Sequence, residues 1–190
     1  MTKLILASNN PNKLKEMSAL LRDRFEVITL AQTGIECEPE ETGTTFLENA
    51  RIKAKTICDL TGFPAVADDS GLCVPALNGA PGIYSARYSP EHTDKANNAL
   101  LLKNMEHIDQ REAYYMCAIA LVFPDGREFT AQGRCDGIIL RTPRGKGGFG
   151  YDPLFYVPEL SKTFAETTPE EKNTVSHRAR ALRELQTRNF

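Results

Sequence analysis

Four short stretches of this chain carry side chains that suit phosphate, metal and base chemistry. The first, Ser8-Asn-Asn-Pro-Asn-Lys13, follows an apolar run at 4–7 and puts hydroxyl, carboxamide and ammonium groups within six residues. If a helix starts there, its backbone N–H groups and the positive end of its dipole favour an anion, and Ser8, Asn9, Asn10 and Lys13 complete a phosphate cradle. The same residues also read as an ordinary capped helix start, and the glycines and Lys-Ser/Thr pair of a Walker loop are missing.

The second stretch, Asp68-Asp69-Ser70-Gly71, ends an apolar segment beginning at Pro64. Ligands of α/β sheets gather at the carboxyl ends of strands. Two carboxylates side by side repel each other unless a cation neutralises them, and a hard ion such as Mg²⁺ is the natural partner. Glu40-Glu41 offers a further ligand; an acidic turn and a solvated acidic loop are the plainer readings. The third stretch, Gly145-Lys-Gly-Gly-Phe-Gly-Tyr-Asp152, sets two rings among four glycines. Glycine allows close backbone approach, and an exposed ring is a stacking platform. The fourth, Ser176-His177-Arg178, supplies donors for a base edge or a phosphate, or else a solvated basic helix face. Neither Ser70 nor Ser176 lies in a nucleophile elbow.

These groups need elements to hold them. The run at 4–7 reads as a buried strand, followed by a helix with Leu14, Met17, Leu20 and Leu21 at helical spacing. A second strand is expected at 25–30. Thr45-Phe-Leu-Glu48 is a capping box opening a helix with Phe46, Leu47, Ala50, Ala54, Ile57 and Cys58 on its buried face. Asn49, Lys53 and Thr56 lie on another side. Residues 64–67 form a short strand, 94–105 a helix and 113–123 a long strand closed by the turn Pro124-Asp-Gly126. Strands near 128–134, 137–141 and 154–157 follow, then a capping box at Thr168-Pro-Glu-Glu171 and a helix, with or without a break, to about residue 185. Interleaved strands and helices with a central hairpin indicate an α/β protein with a mixed sheet.

The whole chain sets bounds on these readings. Its 190 residues suit one domain, at most with two lobes. Lys and Arg number 23 against 25 Asp and Glu, and the net charge of −2 argues against a broad nucleic-acid-binding surface. The five cysteines (37, 58, 73, 117 and 135) show no CxxC spacing, so thiols in a cytoplasmic protein are expected. No run has the length of a membrane span.

Together the stretches fit a nucleoside triphosphate, and in this setting the sequence resembles the inosine/xanthosine triphosphate pyrophosphatases, the Ham1-like family. The matching segments are Ser8…Lys13, Glu41-Thr-Gly-Thr-Thr-Phe-Leu-Glu-Asn-Ala-Arg-Ile-Lys53, Ala67-Asp-Asp-Ser-Gly-Leu72, Gly79-Ala-Pro-Gly-Ile-Tyr-Ser-Ala-Arg87, Gly147-Gly-Phe-Gly-Tyr-Asp-Pro153 and Glu171-Lys172…Ser176-His-Arg178. They keep the family's order along nearly the whole chain. The resemblance implies one domain over 1–190, with an elongated central mixed β-sheet, flanking helices and two lobes around an active-site cleft. It also implies a homodimer; that neither nucleic acid nor membrane is a partner is expected from the charge balance and the absence of a long apolar run.

The implied reaction is hydrolysis of ITP, dITP and XTP to the monophosphate and pyrophosphate, which cleanses the nucleotide pool. Asp69 is the implied general base, assisted by Asp68, with Mg²⁺ held by Glu41 and Asp69. Ser8, Asn9, Asn10, Lys13 and Lys53 are implied on the substrate's phosphates, and Ser70 among the substrate-binding residues. Phe149, Gly150 and Tyr151 are implied around the purine, with Asp152, Lys172, His177 and Arg178 at the base edge. A nucleotide-binding module without hydrolysis, a nucleic-acid binder and a Maf-type triphosphatase are the competing readings; an assay of pyrophosphate release from a substrate panel separates them.

Overall fold

The computed structural model of the protein describes residues 2–188, except the side chain of Leu20. The elements run β1 (Thr2–Leu6), α1 (Pro11–Leu21), β2 (Phe25–Thr29), α2 (Phe46–Thr61), β3 (Ala65–Cys73), α3 (Asp94–Asn104), β4 (Glu112–Val122), β5 (Glu128–Ile139), β6 (Phe155–Val157), β7 (Lys162–Thr163), α4 (Pro169–Val175) and α5 (His177–Gln186). The seven strands are hydrogen-bonded in the order β2-β1-β3-β4-β5-β6-β7. β1 pairs parallel with β2 and β3, whereas β6 pairs antiparallel with β5 and β7, so the sheet is mixed.

The helix starts follow local chemistry. Asn10 Oδ1 accepts from the N–H groups of Asn12 (3.0 Å) and Lys13 (3.2 Å), and Pro11 takes the first position of α1. Thr45 and Glu48 form the reciprocal box that opens α2, and Gly62, at φ 69°, ends it in a left-handed conformation open to glycine. Thr168 and Glu171 do the same for α4. Extended Ser176 then separates α4 from α5.

Two expectations about strands are corrected. β3 does not stop at residue 67 but continues through both aspartates to Cys73, because helices supply cations to the carboxylates. The segments 128–134 and 137–141 are one strand, β5. Gly137 does not break it. A Cβ there would lie 2.5 Å from the Phe155 ring and 2.6 Å from the Tyr156 carbonyl oxygen, so this glycine admits a neighbouring strand.

The chain divides into two compact units. The first comprises Met1–Asp69, Cys117–Gly133 and Arg178–Phe190. In it, side chains alternate along β1 as a strand requires. Leu4 and Leu6 join Met17 and Leu21 of α1 and Ala181, Leu182 and Leu185 of α5 in one core. Ile5 and Ala7 join Ala50, Ala54, Ile57 and Cys58 of α2 in another. Burial on both faces explains why β1 reads as a continuous apolar run. The second unit comprises Ser70–Met116 and Arg134–His177. Its core gathers Leu72, Leu101, Met105, Tyr115, Phe155, Phe164 and Val175.

Candidate active site

Asp68 and Asp69 are neighbours in sequence but serve different surroundings, since successive side chains of a strand point to opposite faces. Asp68 lies on the side of Val66, which packs with α1 and α5. Its Oδ2 is 3.2 Å from Lys13 Nζ of α1 and 3.2 Å from Nη2 of Arg178 of α5. The second terminal nitrogen of Arg178, Nη1, pairs with Glu16, one helical turn beyond Lys13. Asp69 lies on the side of Ala65 and Ala67, which pack against α2. Its Oδ2 accepts from Asn49 Nδ2 at 3.0 Å, and Lys53 Nζ stands 3.7 Å from Oδ1. Lys53 also donates to Glu41 Oε1 at 2.6 Å. Asn49 and Lys53 are four residues apart on α2, the spacing that puts two side chains on one helix face.

This setting biases protonation. Burial pushes the Asp69 carboxyl above the ordinary carboxylate range; Lys53 opposes the shift, Glu41 adds to it, and Lys13 and the Asn49 hydrogen bond oppose it. Burial alone would lower Lys53, but Asp69, Asp68 and Glu41 outweigh it and leave the ammonium more basic than usual. For the fully buried Arg178, too, Asp68 and Glu16 overcome desolvation and hold the guanidinium charged. The first unit therefore carries a buried carboxylate with a raised proton affinity beside two lysines.

The second unit holds a different set. Phe149, Gly150 and Tyr151 lie on an irregular segment in which Gly148 (φ 73°) and Gly150 (φ 60°) take the left-handed conformation. Asp152 Oδ2 accepts from the Phe149 N–H at 3.0 Å and from Lys172 Nζ at 2.7 Å. Lys172 Nζ stands 4.6 Å from the Phe149 ring centroid, a cation–π distance. His177 stacks on Tyr115, with centroids 4.7 Å apart and planes at 11°. The Tyr115 hydroxyl accepts from the Tyr151 N–H at 3.2 Å, while the Tyr151 hydroxyl donates to the Ser85 carbonyl. Burial pushes the Tyr115 hydroxyl well above its ordinary pKa, with the charge of Asp152 adding to the effect. It therefore stays neutral and polar.

The expected residues thus fall into two sets. Glu41, Lys13, Lys53, Asp68 and Asp69 come together in the first unit, and Phe149, Asp152, Lys172 and His177 in the second. Ser8 is half-buried and accepts from the Asn10 N–H, while the Asn10 carbonyl oxygen is occupied by the helix cap. Asn9 is exposed and Ser70 half-buried on β3. Arg178, expected beside His177, instead has its hydrogen-bonded partners in Asp68 and Glu16. Consecutive residues of a helix are turned about 100° apart, so the two side chains part at the first turn of α5.

Glu16 and Tyr115 were not singled out in the sequence. The spacing of Glu16 three residues after Lys13 is a usable signal. Tyr115, inside an apolar run, had only its hydroxyl to mark it, a polar group that burial obliges to find a partner.

The carboxylates near Lys53 also bear on a metal. Among the described residues, no group of three or more His, Cys, Asp or Glu side chains is arranged to hold an ion unaided. Glu41 and Asp69 instead offer two hard oxygen donors around one ammonium. That fits Mg²⁺, which takes one or two carboxylates and completes its shell with water and substrate phosphates.

Comparison with known proteins places this chain in a family. The Ham1 family model matches residues 4–188. A dITP/XTP pyrophosphatase of Desulforamulus reducens is 51% identical over 185 residues, covering 95% of this chain and 92% of that protein. One from Thermus thermophilus is 49% identical over 186 residues, covering 96% and 89%. Among solved structures, the Ham1 protein of Staphylococcus aureus matches with a TM-score of 0.89 at 40% identity, over 97% of this chain and 96% of that one. A HAM1 protein from Coxiella burnetii matches with a TM-score of 0.89 at 46% identity, over 98% of each chain. Among the described residues, no helix is long and apolar enough to cross a membrane.

Proposed function

The chain belongs to the Ham1 family, and from that premise we propose how its residues hydrolyse non-canonical purine nucleoside triphosphates (ITP, dITP and XTP) to the monophosphate and pyrophosphate. The observation that carries the mechanism is Asp69, buried with a raised pKa, hydrogen-bonded to Asn49 and close to Lys53. A carboxylate whose proton affinity is raised toward neutrality is a better general base than an exposed one.

Asp69 takes a proton from the attacking water as the water oxygen bonds to phosphorus at the α–β anhydride. The bond to the bridging oxygen breaks, and its electron pair leaves with pyrophosphate. Asn49 orients the carboxylate through Oδ2, leaving Oδ1 toward Lys53. Lys13 and Lys53 neutralise phosphate oxygens, and the exposed carboxamide of Asn9 before α1 adds donors. Mg²⁺ bound by Glu41 and Asp69 would supply further neutralisation of the leaving pyrophosphate. Asp68, tied to Lys13 and Arg178, positions the first of these lysines. We assign Arg178 to that network instead of to the base edge.

The groups of the second unit address the base. Phe149 stacks on the purine, while Lys172 and His177 supply donors to a 6-keto oxygen. Adenine presents a 6-amino donor there, and donor facing donor leaves buried groups unpaired, which rejects an analogue strongly. The single family match over residues 4–188 supports treating both units as one functional domain. The five cysteines are all thiols, which suits the reducing cytoplasm, and we extend the reading to a homodimer there.

The test is incubation with dITP, XTP, ITP, ATP and GTP in the presence of Mg²⁺, with monophosphate, pyrophosphate and orthophosphate each quantified. The expected result is equimolar monophosphate and pyrophosphate from the first three. Orthophosphate as the primary product, or equal turnover of ATP, overturns the reading.

A further inference from the structure

The residue that follows Phe149 is gripped on both sides by one helix. At its N–H, Gly150 donates to Asp94 Oδ2 at 2.7 Å; at its carbonyl, Gly150 accepts from Asn98 Nδ2 at 2.8 Å. Asp94 and Asn98 lie four residues apart at the start of α3, so both side chains share one helix face. The helix does not need Asp94 as its cap, because Thr93 already accepts from the Ala96 N–H.

Asn98 also donates to the Asp94 carbonyl at 2.7 Å, so the amide bonds to a carbonyl at each end of its reach. Its own Oδ1 is buried with no hydrogen-bond partner. A buried amide acceptor left unsatisfied is costly, so this orientation is dictated by the donor side, where Gly150 lies. Gly150 itself is in the left-handed conformation at φ 60°, which lets its N–H and C=O point to two residues of a single helix.

We propose that Asp94 and Asn98 are positioning residues that clamp the Gly150 peptide and so set the direction of the Phe149 ring for base stacking. The clamp completes a series along the segment. Asp152 holds the Phe149 N–H, α3 holds both polar groups of Gly150, and Tyr115 holds the Tyr151 N–H. Three consecutive residues are thereby fixed, one from within the segment and two from α3 and β4, leaving the Phe149 side chain few backbone settings. Of these partners only Asp152 was singled out by its own sequence position. The inference rests on the reading that Phe149 stacks on the purine.

The experiment compares Asp94→Ala, Asp94→Asn, Asn98→Asp and Phe149→Ala, with KM and kcat for dITP, the inhibition constant of pyrophosphate, and the thermal midpoint. Asn98→Asp keeps the shape but sets carboxylate oxygens against two carbonyls, whereas Asp94→Asn keeps an acceptor for the Gly150 N–H. The expected result is a KM for dITP raised about five- to tenfold by Asp94→Ala and Asn98→Asp. The kcat should stay within about twofold, the pyrophosphate constant should not move, and Asp94→Asn should restore most of the loss. In a Phe149→Ala background the two substitutions should add nothing further to KM.

A raised KM for Phe149→Ala with unchanged values for both clamp variants overturns the clamp alone. An unchanged KM for Phe149→Ala overturns the stacking reading, and the clamp with it. A lowered thermal midpoint with kinetics unchanged makes the contacts structural only, and full additivity with Phe149→Ala shows that they act elsewhere.

Discussion

In the first unit, Asp68 and Asp69 are held by Lys13, Arg178, Asn49 and Lys53, side chains from three helices. In the second, Phe149 is held through its backbone and its neighbours' backbone, by Asp152, Asp94, Asn98 and Tyr115. On the proposed function, the contrast follows from what each region must present. Groups that neutralise phosphate work through charge, so opposing charges can hold them until substrate arrives. A ring that stacks on a base has no polar handle of its own, so its direction has to be set by the peptide that carries it. Removing a group from the first region should therefore disturb charge balance and chemistry, and removing one from the second should disturb affinity for the base.

The sharpest separation comes from Asp69→Asn. It keeps the shape and removes the base, so kcat should fall about 10²–10⁴-fold with little change in KM, measured at saturating dITP. A raised KM with kcat unchanged would make Asp69 a binding group and erase the contrast.

Arg178→Ala comes next. It leaves Asp68 buried without its guanidinium, and breaking a buried pair in this way costs about 3–5 kcal/mol, read by denaturant unfolding. If stability holds and the dITP/ATP ratio narrows instead, Arg178 belongs with the base-reading set.

Lys53→Ala and Phe149→Ala then pull the two regions apart by ligand. Losing the ring should cost about 1–3 kcal/mol in dITP affinity and spare pyrophosphate. Losing the lysine should weaken dITP, ATP and pyrophosphate together. Inhibition constants for all three ligands decide the matter.

The smallest effect is on pH dependence. Because the Asp69 carboxyl is raised in the free protein, the acid limb of kcat/KM should lie above the ordinary carboxylate range, and Asp69→Asn should remove that limb. Stability runs the other way. The native state binds this proton more tightly than the unfolded chain, so the contribution is fully present below the ordinary carboxylate value and is lost as pH rises through the raised one. Wild-type and Asp69→Asn unfolding across that window should therefore diverge as pH rises.

Much of this arrangement was legible in the order of the residues. Capping boxes at Thr45 and Thr168 and the Asn10-Pro11 start of α1 rest on contacts within a few residues, and they fold as read. The continuity of β5 across Gly137 was not read, because the lack of a side chain there is a packing requirement set by Phe155, 18 residues away. Two adjacent pairs were each read as one feature and are not. Asp68 and Asp69 diverge by strand alternation, and His177 and Arg178 by helical rotation.

The sequence by itself determined the chemistry: which carboxylates, lysines and rings are present, and the local signals that start and stop their helices. Those properties depend on side-chain type and on neighbours one to four residues away. Tertiary structure alone decided the partners. Arg178 meets Asp68 across 110 positions and Asn98 meets Gly150 across 52. No spacing rule reaches that far. Such pairs are set by which faces of which elements pack together, and packing is what raises the proton affinity of Asp69 and holds the Gly150 backbone next to Phe149.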